Sequence, residues 1–246
     1  MDETRPPITE DRILGGRALI LQPAKGYRAG LDAALLAAAC DGPDGARILE
    51  FGCGVGGALI AAALRRPRAS FVGVERDVAA AALARRNVTA NGLEDRVSVR
   101  EGVVEAADLA GFDAVMANPP FFDDPGALRA PHPAKRGAWI ADAGLEAWIG
   151  AMLAAARDGG TLLLIHRADR LADILAQLAP KAGSVRIRPV HPFADAPAKR
   201  VLVRAVRGGR APLVLLPPLV LHARGGAKHT DEAEAILRGE RDLGWD

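Results

Sequence analysis

From Arg47 onward the chain alternates short apolar segments with alanine-rich ones, a rhythm that leaves few folds open. Arg47 to Phe51 reads as a strand, Gly52 to Gly57 as a glycine loop, and Ala58 to Arg66 as a helix stopped by Pro67. Ser70 to Glu75 is the next strand, and Asp77 caps a long helix that runs to an Asn91-Gly92 stop. Arg96 to Arg100 and Phe112 to Ala117 follow as strands. A helix from Leu145 to Arg157 leads to a strand over Gly160 to His166, and a helix from Arg170 to Leu178 precedes two last strands, Val185 to Val190 and Arg200 to Val206. Strands alternating with helices of this length predict an α/β fold with a doubly wound sheet of seven strands. Ahead of this series, Arg12 to Leu21 reads as a hairpin turning at Gly15-Gly16, and Leu31 to Cys40 as a helix with Asp32 at its positive end. After it, residues 213 to 221 read as a broken extended segment packed on the sheet and Asp231 to Arg238 as a last helix. A length of 246 residues suits one domain, with a 1–44 extension, a 45–207 core and a 208–246 extension.

Composition excludes several classes. Charged residues interrupt every apolar run before it reaches membrane-spanning length, and the first residues carry no basic segment followed by an apolar one, which predicts a cytoplasmic protein without a membrane partner. Cys40 and Cys53 form neither a CxxC nor a disulfide framework, and the five histidines lack metal-ligand spacing, so no metal is expected. Residues 181 to 230 hold ten bases against one acid, Asp195, while the remainder carries 22 bases and 29 acids. Such a one-sign tail points to a polyanionic partner.

Two stretches carry chemistry. Glu50-Phe51-Gly52-Cys53-Gly54-Val55-Gly56-Gly57 lies where ligands bind in such folds, at the carboxyl end of the first core strand and before a helix N-terminus. Its glycines permit positive φ and a close backbone approach, with N–H groups left for a ligand. Glu75, at the end of the second strand, stands where an acid accepts both ribose hydroxyls. Gly52, Gly54 and Gly57 also satisfy G-x-G-x-x-G, so a nicotinamide-dependent oxidoreductase is a rival reading. The second stretch, Asn118-Pro119-Pro120-Phe121, ends the fourth strand, because prolines donate no N–H to a ladder. Taken alone it is an ordinary turn. After Glu50 and Glu75, it offers an amide, a rigid carbonyl and a ring to a flat group carrying NH2.

In that order the motifs resemble the class I S-adenosylmethionine-dependent methyltransferases that modify planar NH2 groups. Asp11 to Arg17, Gln22-Pro23, Gly26 to Asp32, Ile165 to Arg170 and Pro197 to Arg200 are similar to the bacterial family that methylates adenine N6 of valine tRNA. The resemblance implies a Rossmann-like, mostly parallel sheet with an antiparallel last strand, S-adenosylmethionine as cofactor, and RNA as substrate. It implies a cofactor site of Gly30, Asp32, Glu50, Gly52, Cys53, Gly54, Gly56, Glu75, Arg76, Glu101, Gly102 and Asn118, and a catalytic Asn118, Pro119, Pro120 and Phe121. Many relatives hold the cofactor adenine with an acid after the third strand; here Glu101-Gly102-Val103-Val104 leaves either Glu101 or backbone groups for that task. Arg28, Arg129, His132, Lys135, Arg136, Lys199 and Arg200 are the expected RNA contacts, and a monomer or homodimer is the expected assembly. Release-factor methylases, which act on a protein glutamine amide, share Asn-Pro-Pro with an aromatic and are the nearest alternative; the 49 residues before Glu50 and the basic tail argue for RNA.

Overall fold

The computed structural model describes residues 7–25, 28–104, 109–120, 144–225 and 227–246. Strands β1 (Ile8–Ile13) and β2 (Ala18–Pro23) form the antiparallel N-terminal hairpin. The first strand begins four residues before its expected start, because Glu10, Asp11 and Arg12 mask the alternation of an outer strand that buries little. β2 faces inward, and its free edge is completed by side chains. Asn87 and Asn91, one turn apart on helix α3 (Val78–Ala90) and at its C-cap, exchange hydrogen bonds with the backbone of Leu21 and Leu19 at 2.7–2.9 Å. Two amides thus satisfy what a neighbouring strand otherwise would.

The main sheet runs β10-β8-β9-β7-β6-β3-β4-β5. Its members are β3 (Arg47–Phe51), β4 (Ser70–Glu75), β5 (Val97–Glu101), β6 (Phe112–Ala117), β7 (Ala156–Arg167), β8 (Ala182–His191) and β9 (Arg200–Arg207), and β10 (Val214–Leu215). β11 (Leu219–Val220) also pairs with β8. All pairings are parallel except those of β9, which lies antiparallel between β7 and β8. The expected seven-stranded core with an antiparallel last strand is therefore present, and the tail adds two short strands at its edge. Pro217-Pro218 divides them, since neither proline can donate to the ladder.

Helices α1 (Leu31–Ala39) and α2 (Gly57–Arg65) pack on one face with α3 and with α6 (Asp231–Arg238); α4 (Leu145–Ala155) and α5 (Leu171–Leu178) cover the other. α4 ends two residues before its expected limit. Ala156 already pairs with Phe112, and the register then shifts, so Arg157 to Gly160 form a bulge rather than a last helical turn. Asp113 holds that corner by accepting from the Arg47 backbone N–H at 2.8 Å and from Arg157 Nε at 2.6 Å, which keeps its carboxyl below the usual value.

The basic tail is less available than its composition implies. Arg186 and Arg188 donate to the carbonyls of Trp245 and Gly244, Arg204 to Asp41, and Arg207 to the carbonyls of Leu153 and Ala156. Arg186 and Arg188 thereby tie β8 to the last residues of the chain, while Arg204 and Arg207 tie β9 to Asp41 and to the end of the helix over Leu145–Ala155.

Candidate active site

The carboxyl ends of the parallel strands converge on one edge of the sheet, and the register fixes what meets there. Phe51 is level with Ala117 and Val74, so the loops leaving β3, β4 and β6 emerge side by side. Gly52, Gly54 and Gly56 have φ of 68°, 55° and 87°. Gly52 needs this freedom and also its missing side chain, because a Cβ there lies 2.6 Å from the Trp148 ring of α4. Gly57 is equally constrained: a Cβ would overlap that of Ala29, where the chain enters α1. Trp148 thus backs the glycine turn from the core, a contact that the sequence did not disclose, since one aromatic on an apolar helix reads as core.

One expectation about this loop is corrected. Four of its six N–H groups are engaged within the protein: Gly52 and Cys53 donate to the Val74 carbonyl, Gly56 to the Cys53 carbonyl, and Gly54 to Glu75 Oε2 at 2.8 Å. A dinucleotide pyrophosphate draws on such groups as an anion cradle, so these four bonds leave the oxidoreductase reading fewer of the loop's donors. The loop is instead bent tightly against β4. Cys53 contributes its backbone and a buried thiol packed toward Gly73, with its acidity suppressed by burial.

What the loop encloses is acidic. Glu50 is 2% exposed and its Oε2 accepts no hydrogen bond from the protein. Burial, reinforced by the charge of Glu75 and opposed by the Leu59 backbone N–H, pushes its carboxyl up to about 8. An orphaned carboxylate of this kind is costly unless a cation meets it, so the site fits a ligand with an ammonium or sulfonium group. Glu75 accepts from Gly54 and from the Asp77 N–H, both at 2.8 Å, which leaves lone pairs on both oxygens for hydroxyls. Arg76 lies exposed beside it. Glu101 receives Arg85 Nη1 from α3 at 2.8 Å, and Gly102 N–H donates to the Glu75 carbonyl.

Asn118 lines the same cleft as Glu50, Gly52, Gly57 and Ala29. Pro119 is buried and Pro120 half-buried at the strand exit. Gly30 is the N-cap of α1, and Asp32 in its first turn pairs with Arg200 Nε at 3.1 Å. Lys199 is exposed next to it. Arg28 is bound into the hairpin, donating to Asp11 at 2.6 Å and to Thr9 and the Pro23 carbonyl at 2.9 Å. Gln22 completes this brace by donating to Asp11 and accepting from Ala29 N–H, which sets Ala29 against Gly57. Phe121, Arg129, His132, Lys135 and Arg136 lie outside the described residues. Among the described residues no cluster of three His, Cys, Asp or Glu could hold a metal, and no helix is long and apolar enough to cross a membrane.

Comparison with known proteins agrees with this geometry. Residues 28–130 match the methyltransferase small domain family. The tRNA1(Val) (adenine(37)-N6)-methyltransferase of Porphyromonas gingivalis is 32% identical over 187 residues, 71% of this chain and 72% of that protein. Its Aeromonas salmonicida counterpart is 33% identical over 105 residues, but the match spans 42% of this chain and 44% of that protein. A release factor glutamine methyltransferase of Geobacter sulfurreducens is 39% identical over 80 residues, 32% of this chain and 28% of that protein. In three dimensions, a predicted O-methyltransferase from Agrobacterium tumefaciens superposes with a TM-score of 0.72 at 30% identity, covering 86% of this chain and 98% of that one. The glycine loop tied to β4, the acid at each of the first two strand ends and the amide across the cleft are thus features of a chain that belongs to the tRNA1(Val) (adenine-N6)-methyltransferase family, within the class I enzymes whose cofactor is S-adenosylmethionine.

Proposed function

We propose that the protein methylates the exocyclic N6 of an adenine in RNA, in a tRNA near its anticodon. The observation that carries this reading is that the orphaned Glu50 carboxylate and the Asn118 amide line one cleft, a cation site beside an NH2 site. Glu50 holds the amine end of the cofactor, with the Gly30 to Asp32 segment bordering it, and Glu75 takes the ribose hydroxyls. With Glu101 paired to Arg85, backbone groups near Val103 are left to meet the cofactor adenine. When bound, S-adenosylmethionine supplies an electrophilic methyl group.

The remaining work belongs to the chain's own residues. An adenine N6 is a weak nucleophile because its lone pair is delocalised into the ring. The Asn118 side-chain oxygen and the Pro119 carbonyl accept its two N–H bonds, which orients the lone pair and stabilises positive charge developing on nitrogen. A preorganised partner of this sort contributes on the order of 3 kcal/mol. The surplus N6 proton then leaves to solvent, so no dedicated base is needed. The adenine must first leave its stack, and that costs least in an unpaired loop.

A glutamine amide is also a planar NH2, and the release-factor match keeps it as the second reading. The two separate in one experiment: incubation with methyl-labelled S-adenosylmethionine and separate tRNA, rRNA and protein fractions. Label in tRNA supports the proposal; label confined to protein overturns it.

A further inference from the structure

Resting on that RNA reading, we propose that Arg224, held over the Phe193 ring at the carboxyl end of β8, forms a stacking platform for an unpaired base flanking the methylated nucleotide. Phe193 lies just past β8, and His222 just past β11, whose Val220 pairs with His191. The Phe193 and His222 rings are 5.6 Å apart, and those of His222 and His229 stack at 5.1 Å with planes 25° apart. His222 Nδ1 is 2.7 Å from the Lys228 carbonyl, which fixes its orientation. The Arg224 guanidinium carbon sits 4.5 Å from the Phe193 centroid, and Nε and Nη2 donate to Asp195 Oδ1 at 3.2 and 3.0 Å.

This layering leaves the outer face of the guanidinium to solvent, with the Arg224 side chain 65% exposed. A guanidinium held by both an aromatic ring and a carboxylate has given up part of its rotamer freedom on folding. Its free face therefore binds a base with little further ordering cost. Internal packing alone would explain the two histidines, but not an exposed, pre-oriented guanidinium. Its neighbours match a nucleic acid: Lys199 and Lys228 are exposed nearby in sequence and fold, whereas the arginines lower in the tail are taken up by carbonyls and carboxylates. The placement is also within reach. Ala117 is level with Leu164, Val203 and Ile187 across β6, β7, β9 and β8, so the strand of Phe193 lies three strand spacings, about 14 Å, from that of Asn118, and Phe193 stands roughly five residues, about 16 Å, further along the strand direction. A few nucleotides span that distance.

The test compares wild type with Arg224→Ala, Phe193→Leu and Phe193→Trp, reading the Kd for tRNA by anisotropy, the KM and kcat of methylation, and the cofactor Kd. Losing a stacked base predicts that Arg224→Ala and Phe193→Leu raise tRNA Kd and KM by about tenfold, with kcat at saturating tRNA and cofactor Kd unchanged. Phe193→Trp should retain wild-type affinity. Arg224 is on the surface, so its variant remains informative if Phe193→Leu unfolds. Unchanged tRNA affinity in Arg224→Ala, in a protein that still methylates tRNA, overturns the platform and leaves the RNA reading intact. A wild type that labels protein and no RNA overturns both.

Discussion

Along one edge of the sheet, the ends of β3, β4 and β5 carry Glu50, Glu75 and Glu101, whereas β7, β8 and the start of β9 carry Arg167, His191, Lys199 and Arg200. The first half is built from glycine and alanine, with the chain bent close enough that Gly57 cannot accept a Cβ. The second is built from longer, basic and aromatic side chains. The difference fits the charge of what each half is proposed to meet: a small cation beside the buried Glu50 carboxylate on one side, a large polyanion at the surface on the other. Asn118 stands on β6 between them. Polarity at a sheet edge can thus be read as a map of ligands, provided that arginines used as structural ties are first subtracted.

Breaking the junction has the largest expected effect. Asn118→Ala removes the partner of the NH2 group and lowers kcat by about 10²–10³-fold, while cofactor affinity by calorimetry stays near wild type; retained turnover would remove Asn118 from the mechanism.

Neutralising the acidic half comes next. Glu50→Gln weakens the cofactor by roughly 10²-fold, the scale for a buried charge pair losing one member. Its effect on the ligand-free protein has the opposite sign. Glu50 is raised from 4.5 to about 8, so the stability associated with its neutral form is complete below about 4.5 and is lost as pH rises through about 8. Glu50→Gln should therefore melt higher than wild type at pH 9, with the gain vanishing toward pH 5, and wild-type cofactor affinity should climb with pH until Glu50 is ionised. A flat difference in melting temperature between these limits would mean that Glu50 is not a strained acid.

Gly57→Ala tests the close approach in the same half. Its methyl must displace Ala29, at a cost of about 1–3 kcal/mol read from the urea midpoint, with looser cofactor binding because Ala29 borders the cleft. The smallest effect belongs to Arg85→Ala. Both partners of the Arg85–Glu101 pair are more than 40% exposed, so its removal should change stability by less than about 1 kcal/mol and leave cofactor affinity unaltered. A large loss of affinity would give Glu101 the adenine contact instead.

Much of this was legible in the sequence because local rules suffice there. Ser70 to Glu75, Phe112 to Ala117 and Asp231 to Arg238 have the bounds their residues imply, since period, cap and breaker agree. Asp77 caps α3 as its position predicts, accepting from Ala80 N–H at 2.8 Å. What escaped depends on distant partners. The asparagines that complete β2, the contact of Trp148 with Gly52, the commitment of four tail arginines to carbonyls or carboxylates, and the Arg224–Phe193 layer all join residues far apart in the chain. The fate of the glycine-loop N–H groups escaped for the same reason: the Val74 carbonyl and the Glu75 carboxylate that accept them lie over twenty residues away in sequence.

The measurement that bears most directly on the central claim is the identity of the methylated product. tRNA treated with the protein and S-adenosylmethionine, digested to nucleosides and analysed by mass spectrometry, should contain N6-methyladenosine that maps to the anticodon loop and is absent with Asn118→Ala. Methylation confined to a protein glutamine, or to a nucleoside without an exocyclic amine, would contradict the account.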